Sequence, residues 1–228
     1  MSQSLIACAS DAVASNTTIG DTTNNPGSST CLLTAALTEG PYFVDEKLNR
    51  ADIRSDPSTG AISLGVPLAL TFTVSRVIGA ACTPLTGAYI DVWHCDAAGA
   101  YSDVSGAGAG RKFLRGYQVT DVNGQVTFTT VYPGWYSGRA VHIHFKLRLF
   151  AGTTKTYEFT SQFFFGESLT DAVHASSPYA AKGKRDTLNA NDGIFNGLAS
   201  TAKSALTLQA AVNGNSYSGT IALGVQVG

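Results

Sequence analysis

Apolar and polar residues alternate in short runs along most of this chain, with the period of two that a strand shows when one face is buried. The runs 68–74, 88–94, 117–120, 125–131, 141–150 and 156–165 all carry it, and their content of Val, Ile, Thr, Phe and Tyr suits strands. Asn123-Gly124 between the third and fourth runs is the strongest two-residue hairpin signal in the sequence. Ala151-Gly152-Thr153 separates the next pair, and Asn213-Gly214-Asn215-Ser216 predicts a last hairpin between residues 204–212 and 217–227. Helical spacing is scarce: residues 168–174 predict one short helix, N-capped by Ser168. The pattern predicts a mostly β protein, a β-sandwich with few short helices.

Length and composition narrow this further. The 228 residues suffice for a single β-sandwich domain over 31–228, preceded by an extended arm over 1–30 that is rich in Ser, Thr, Asn and Asp. Charged residues are 14% of the chain, against about 25% in ordinary soluble domains. A formal net charge of −1 leaves no basic surface, which argues against nucleic acid or an anionic membrane as partner. No apolar run approaches the ~20 residues of a membrane span, and the first residues lack a signal peptide's charged and apolar regions. The even cysteine count (Cys8, Cys31, Cys82, Cys95) without metal-knuckle spacing predicts two disulfides and a secreted, extracellular protein. Four buried thiols in a reducing compartment are the competing reading. Asn16-Thr17-Thr18 is a glycosylation sequon, meaningful only in a eukaryotic secretory pathway.

Candidate chemistry concentrates in His142-Ile143-His144. Alternate residues of a strand share a face, so both imidazoles can reach one metal ion. A cupin or an iron(II) facial triad would add a carboxylate close by, but no acid follows until Glu158. Two tyrosines lie within reach in sequence, Tyr136 in a Pro-Gly-Trp-Tyr turn and Tyr101 after an earlier strand. A phenol with an unperturbed pKa near ~10 becomes a ligand at neutral pH only beside a strongly acidic cation, ferric iron above all. A zinc or copper site built on the histidines alone, or a binding sandwich without turnover, remain the alternatives.

The longer segments carry a resemblance. Residues 91–102, with Tyr101, and 132–144, with Tyr136, Arg139, His142 and His144, resemble the iron-binding segments of the intradiol ring-cleavage (catechol) dioxygenases. Residues 113–121 and 124–128 resemble that family's central hairpin, and Thr38-Glu39-Gly40-Pro41-Tyr42 resembles a segment at the start of its catalytic core. The likeness spans about residues 31–195 and is greater to the short, protocatechuate-type and secreted branch, since 1–30 cannot form the helical dimerisation domain of cytosolic members. It implies Fe(3+) held by Tyr101, Tyr136, His142 and His144, a catecholic small molecule and O2 as substrates, and a cis,cis-muconate-type product. Tyr136 would take a substrate proton, Arg139 would stabilise charge on the ring, and Gln162 would hydrogen-bond a hydroxide on the metal. Trp135, Tyr42 and the loop 102–110 become candidate pocket walls, His94 a structural residue and His174 a solvated one. A homodimer is possible; the preferred catechol stays open.

Overall fold

The computed structural model describes residues 32–227. The expectations for residues 1–30, for Cys31 and for the sequon lie outside the described residues.

Ten strands form two five-stranded sheets. In the first, β1 (Pro67–Ile78) is central. It runs parallel to β10 (Ser216–Val225), and its other edge pairs antiparallel with β5 (Gln125–Val131) and then β2 (Ala81–Pro84). A short β9 (Ala210–Asn213) closes the far side. The second sheet has the order β4-β3-β6-β7-β8, built from β3 (Tyr89–Trp93), β4 (Arg115–Val119), β6 (His142–Ala151), β7 (Thr154–Phe165) and β8 (Thr207–Leu208). Phenylalanines dominate the join: Phe72 of the first sheet meets Phe145 and Phe163 of the second at ring separations of 5.5 and 6.0 Å. The β-sandwich expected from the alternation is the observed fold.

The middle of the second sheet is buried on both faces. Ile143, Phe145 and Leu147 of β6 point to the common core. Their alternates, His142, His144, Lys146 and Arg148, are also buried, because residues 38–48 lie across that outer face. Phe43 packs on Trp93 at 4.9 Å and under Lys146, and Asp45 pairs with Arg148 at 2.9 Å. Register places Trp93 opposite His144, and His144 opposite Gln162. Three strands thus present a continuous buried polar face.

Several sequence expectations are corrected. Asn123-Gly124 is a tight turn but not a hairpin: β4 pairs with β3 and β5 with β1, so the chain crosses between sheets there. The turn chemistry is genuine, for the Asp121 carboxylate accepts from the amides of Asn123 and Gln125. Residues 204–212 are not one strand. A helix, α3 (Ser200–Ala205), comes first, β8 then joins the second sheet, and only β9 forms the hairpin with β10. Helix α1 (Glu167–His174) starts one residue earlier than expected and its N-cap is Gly166, not Ser168. A further single-turn helix, α2 (Gly193–Asn196), has no counterpart among the expected elements. Cys95 is a buried free thiol, so four cysteines cannot make two disulfides. No helix among the described residues is long and apolar enough to cross a membrane.

Candidate metal centre

His142 and His144 stand on adjacent outward positions at the start of β6, with their Nε2 atoms 3.0 Å apart. The strand's pleat alone would bring both rings to one side. Two phenols join them from separate loops: Tyr136 Oη lies 3.1 Å and Tyr101 Oη 3.5 Å from His142 Nε2. Four nitrogen and oxygen donors therefore converge from residues that the sequence spreads over more than forty positions.

The two loops meet because their backbones touch. Asp96 shapes the first, its carboxylate accepting from the amides of Ala98 and Ala100 just before Tyr101. Gly134 donates its amide to Asp96 O at 3.1 Å, and a Cβ at Gly134 would fall 2.4 Å from Ala97 O. A Cβ on Gly99 would fall 2.1 Å from Trp135 O. Only glycine permits so close an approach at both positions. Lys182 reinforces the clasp, its ammonium donating to Ala98 O and to Trp135 O.

Tyr101 is held from behind as well. Ser102 donates its hydroxyl to Phe113 O, and the buried Arg115 donates to Ser102 Oγ at 2.7 Å and Tyr42 O at 3.2 Å. Tyr42 in turn stacks on Tyr101 with centroids 4.3 Å apart and meets Tyr136 edge-on at 6.1 Å. Tyr42 thus packs directly against the two phenol donors. Trp135 donates its Nε1–H to Gly183 O and carries the Lys182 ammonium over its ring. The loop after Tyr101 carries a short turn of 3-10 helix (Gly106–Gly108) and is tied at its start by Ser102.

The two imidazoles are fixed by different means. His142 Nδ1 faces Ala140 O at 2.6 Å; a carbonyl only accepts, so Nδ1 carries the hydrogen and Nε2 offers a lone pair to the cluster. His144 Nδ1 has no hydrogen-bond partner among the described residues. Its ring is instead stacked on Trp93, 5.0 Å away and within 10° of parallel, with Gly40 packed against its edge.

Burial sets the protonation of this cluster. Desolvation, followed by the Arg139 charge, lowers His142 to about 3, and desolvation and His142 hold His144 well below the ordinary range. Both imidazoles are therefore neutral at neutral pH. Desolvation also lifts Tyr101 well above a free phenol and Tyr136 to about 12. Two lone-pair nitrogens and two phenols that ionise only beside a strong Lewis acid form a donor set suited to a trivalent cation. Among the described residues there is no cluster of three or more His, Cys, Asp or Glu to compete with it.

Arg139 borders the cluster. Its Nε donates to Asp192 at 2.8 Å and Nη2 to Gln162 Oε1 at 2.6 Å, while Nη1 takes no bond among the described residues. Gln162 passes the contact on, donating from Nε2 to Thr38 O at 2.7 Å. Its amide is engaged with Arg139 and Thr38, which makes it a brace of the guanidinium in this structure. Asp192, fully buried, is the partner of Arg139 that sequence reasoning misses; only an Asp before Gly-Ile-Phe, a helix N-cap pattern, marks it in sequence. His94 is structural as expected, buried between Cys95 O and Thr130 Oγ1. His174 is not solvated: it is half-buried, hydrogen-bonded to Pro133 O and stacked on Tyr179.

Comparison with known proteins agrees with this geometry. The sequence matches the dioxygenase family over residues 38–190. An intradiol ring-cleavage dioxygenase from Tetranychus urticae is similar over 86% of this chain and 95% of its own, with 30% identity and a TM-score of 0.71. Catechol 1,2-dioxygenase 1 of Acinetobacter lwoffii is 28% identical over 55% of this chain, and the protocatechuate 3,4-dioxygenase beta chain of Burkholderia cepacia 30% identical over 62%. Those matches span 44% and 65% of the two relatives' own lengths. The sheet-rich fold and the family match place the chain in the dioxygenase family. Within it, the chain belongs to the intradiol ring-cleavage dioxygenases.

Proposed function

We propose that this protein cleaves catecholic compounds between their two hydroxyl-bearing carbons, using O2 and a non-haem ferric ion. One observation carries the reading: the convergence of Tyr101 Oη, Tyr136 Oη, His142 Nε2 and His144 Nε2. These four would hold the iron. Bound ferric iron would supply the Lewis acidity and electron-accepting character that let a catecholate react with O2.

The chain's own residues provide the rest. The catechol must lose two protons, and Tyr136, held as a phenolate by the metal and less buried than Tyr101, would take one at Oη. Tyr42 and Tyr101 form an aromatic wall against which a planar ring can lie. Arg139, oriented by Asp192 and Gln162, turns Nη1 to charge that develops on the ring. The ring bond between the hydroxyl-bearing carbons breaks, both atoms of O2 enter the carboxyl groups, and the product is a cis,cis-muconate-type diacid. Placement outside the cell is part of this proposal, and a disulfide at Cys82 would fit it.

The test is purification, ferric loading, and O2 uptake over a panel of catechols with labelled O2 and product masses. A tyrosinate-to-iron charge-transfer colour and a diacid carrying both labels are expected. A colourless protein that consumes no O2 with any catechol would overturn the reading.

A further inference from the structure

Asp192 makes four hydrogen bonds with one fully buried carboxylate, and they divide cleanly. Oδ1 accepts from the amides of Ile194 and Phe195 and so caps α2. Oδ2 accepts from Arg139 Nε and from the amide of Ala140, both at 2.8 Å. The Ala140 carbonyl, on the next peptide, takes the Nδ1–H of His142 at 2.6 Å. A single oxygen therefore holds the Arg139 guanidinium and the amide of Ala140, the residue whose carbonyl orients one imidazole of the donor set.

We infer that Asp192 is the positioning residue for Arg139 and His142 alike, setting Arg139 directly and His142 through the backbone of Ala140. The inference rests on the functional reading above. A cap alone would need only Oδ1; placing Oδ2 against Arg139 and Ala140 has no use for α2. Nor is the arrangement a generic ion pair, since the backbone amide of Ala140 shares the oxygen and keeps the carboxylate from swinging with Arg139.

Asp192→Asn separates the two duties. An amide has one acceptor end, so it can cap α2 or clamp Arg139 and Ala140, but not both. Asn is a good N-cap, so folding should survive while the clamp is lost. Removing a supporting contact of this kind typically costs about ten- to a hundredfold in activity or metal affinity. Expected results are a kcat per bound iron lower by that factor, a shifted charge-transfer band, and, in metal-free protein, a displaced Nδ1–H resonance of His142. In an Arg139→Met background the kcat penalty of Asp192→Asn should largely disappear while the resonance change persists, because one route runs through Arg139 and the other does not.

Asp192→Ser, which keeps an N-capping oxygen and is shorter, serves should the first variant fail to fold. Thr170→Ala, which removes a buried hydroxyl away from the centre, supplies a destabilised control. If the Asp192 variants behave like that control, losing melting temperature but keeping kcat, KM, band position and the His142 resonance per folded molecule, the inference is overturned. Wild-type protein without colour or turnover would instead overturn the functional reading, and the metal-free His142 resonance would still test the positioning.

Discussion

The two sides of the reaction centre are built on different physics. On the His142 side every group is wired: Nδ1 to Ala140 O, Ala140 N and Arg139 to Asp192, Arg139 to Gln162, and Gln162 to Thr38 O. On the His144 side the groups are packed: His144 on Trp93, Trp93 on Phe43, Tyr101 on Tyr42, with neither His144 Nδ1 nor Trp93 Nε1 finding a partner among the described residues. Hydrogen bonds are directional, so the wired side fixes angles and charge; stacking contacts are broad, so the packed side fixes planes and excludes water. A site that binds a flat catechol and meets charge at one point, as proposed, would have use for both.

The comparison breaks most visibly at Arg139. Arg139→Met removes the donor proposed to face the ring and leaves the buried Asp192 carboxylate without its cationic partner. We expect kcat to fall by about 10²–10³-fold, the loss seen when a positioned charge-stabilising donor is deleted. Stability should fall by about 3–5 kcal/mol, because one partner of a buried pair remains. O2-uptake kinetics and urea unfolding read the two effects. A loss of stability with unchanged kcat would make the wired side merely structural.

Trp93→Ala is the matching test of the packed side. It empties the wall behind His144 and should cost about 3–5 kcal/mol of stability, as large aromatic truncations do in cores. Trp93→Phe retains a ring to stack on and should cost under about 1.5 kcal/mol. Equal costs for the two variants in thermal unfolding would show that a ring stacked on His144 contributes nothing there.

The histidine pair is the part of the site most legible in sequence, and the wiring behind it the least. Period two by itself puts His142 and His144 on a shared face, since the pleat is a local property of β6. Tyr101 and Tyr136 are marked by motif likeness, and no spacing rule tells that Gly99 and Gly134 let their loops touch. Asp192 stays hidden because its partners lie 52 and 53 positions away and its local sequence spells only a helix cap. Asn123-Gly124 misleads for the converse reason. Its turn is local and correctly read, but which strands pair is decided by the Phe72, Phe145 and Phe163 core. Residues 200–205 show the same limit: Ala and Lys favour helix there, yet the apolar rhythm running on from 204 resembles a strand.

Acid should loosen both sides together, since each contains neutral buried imidazole. His94, beneath the centre, is lowered to about 4 by desolvation from an ordinary 6.5. A histidine depressed in the fold binds its proton more readily when unfolded, so its share of stability is complete above about pH 6.5 and drains away between there and about pH 4. Two to three pH units correspond to about 3 kcal/mol from this residue. In metal-free protein, unfolding free energy measured from pH 7.5 down to 4.5 should decline across that window. His94→Gln should flatten the decline by His94's share, and an unchanged slope would show that His94 is not the group responsible.

The smallest expected effect probes where the packed side meets substrate. Tyr42 contributes a ring to Tyr101 at 4.3 Å, and its hydroxyl makes no hydrogen bond among the described residues. Tyr42→Phe should therefore leave stability within about 0.5 kcal/mol, as a change that breaks no internal contact does. Tyr42→Leu keeps apolar volume but removes the stack, whose worth beyond burial is about 0.5–1.5 kcal/mol. If Tyr42 serves as a plane for the catechol, Leu should raise KM by several-fold while kcat and the charge-transfer band hold, and Phe should leave all three unchanged. A fall in kcat with KM constant would instead place Tyr42 among the residues that orient Tyr101, and the division into a side that fixes planes and a side that fixes charge would have to be redrawn.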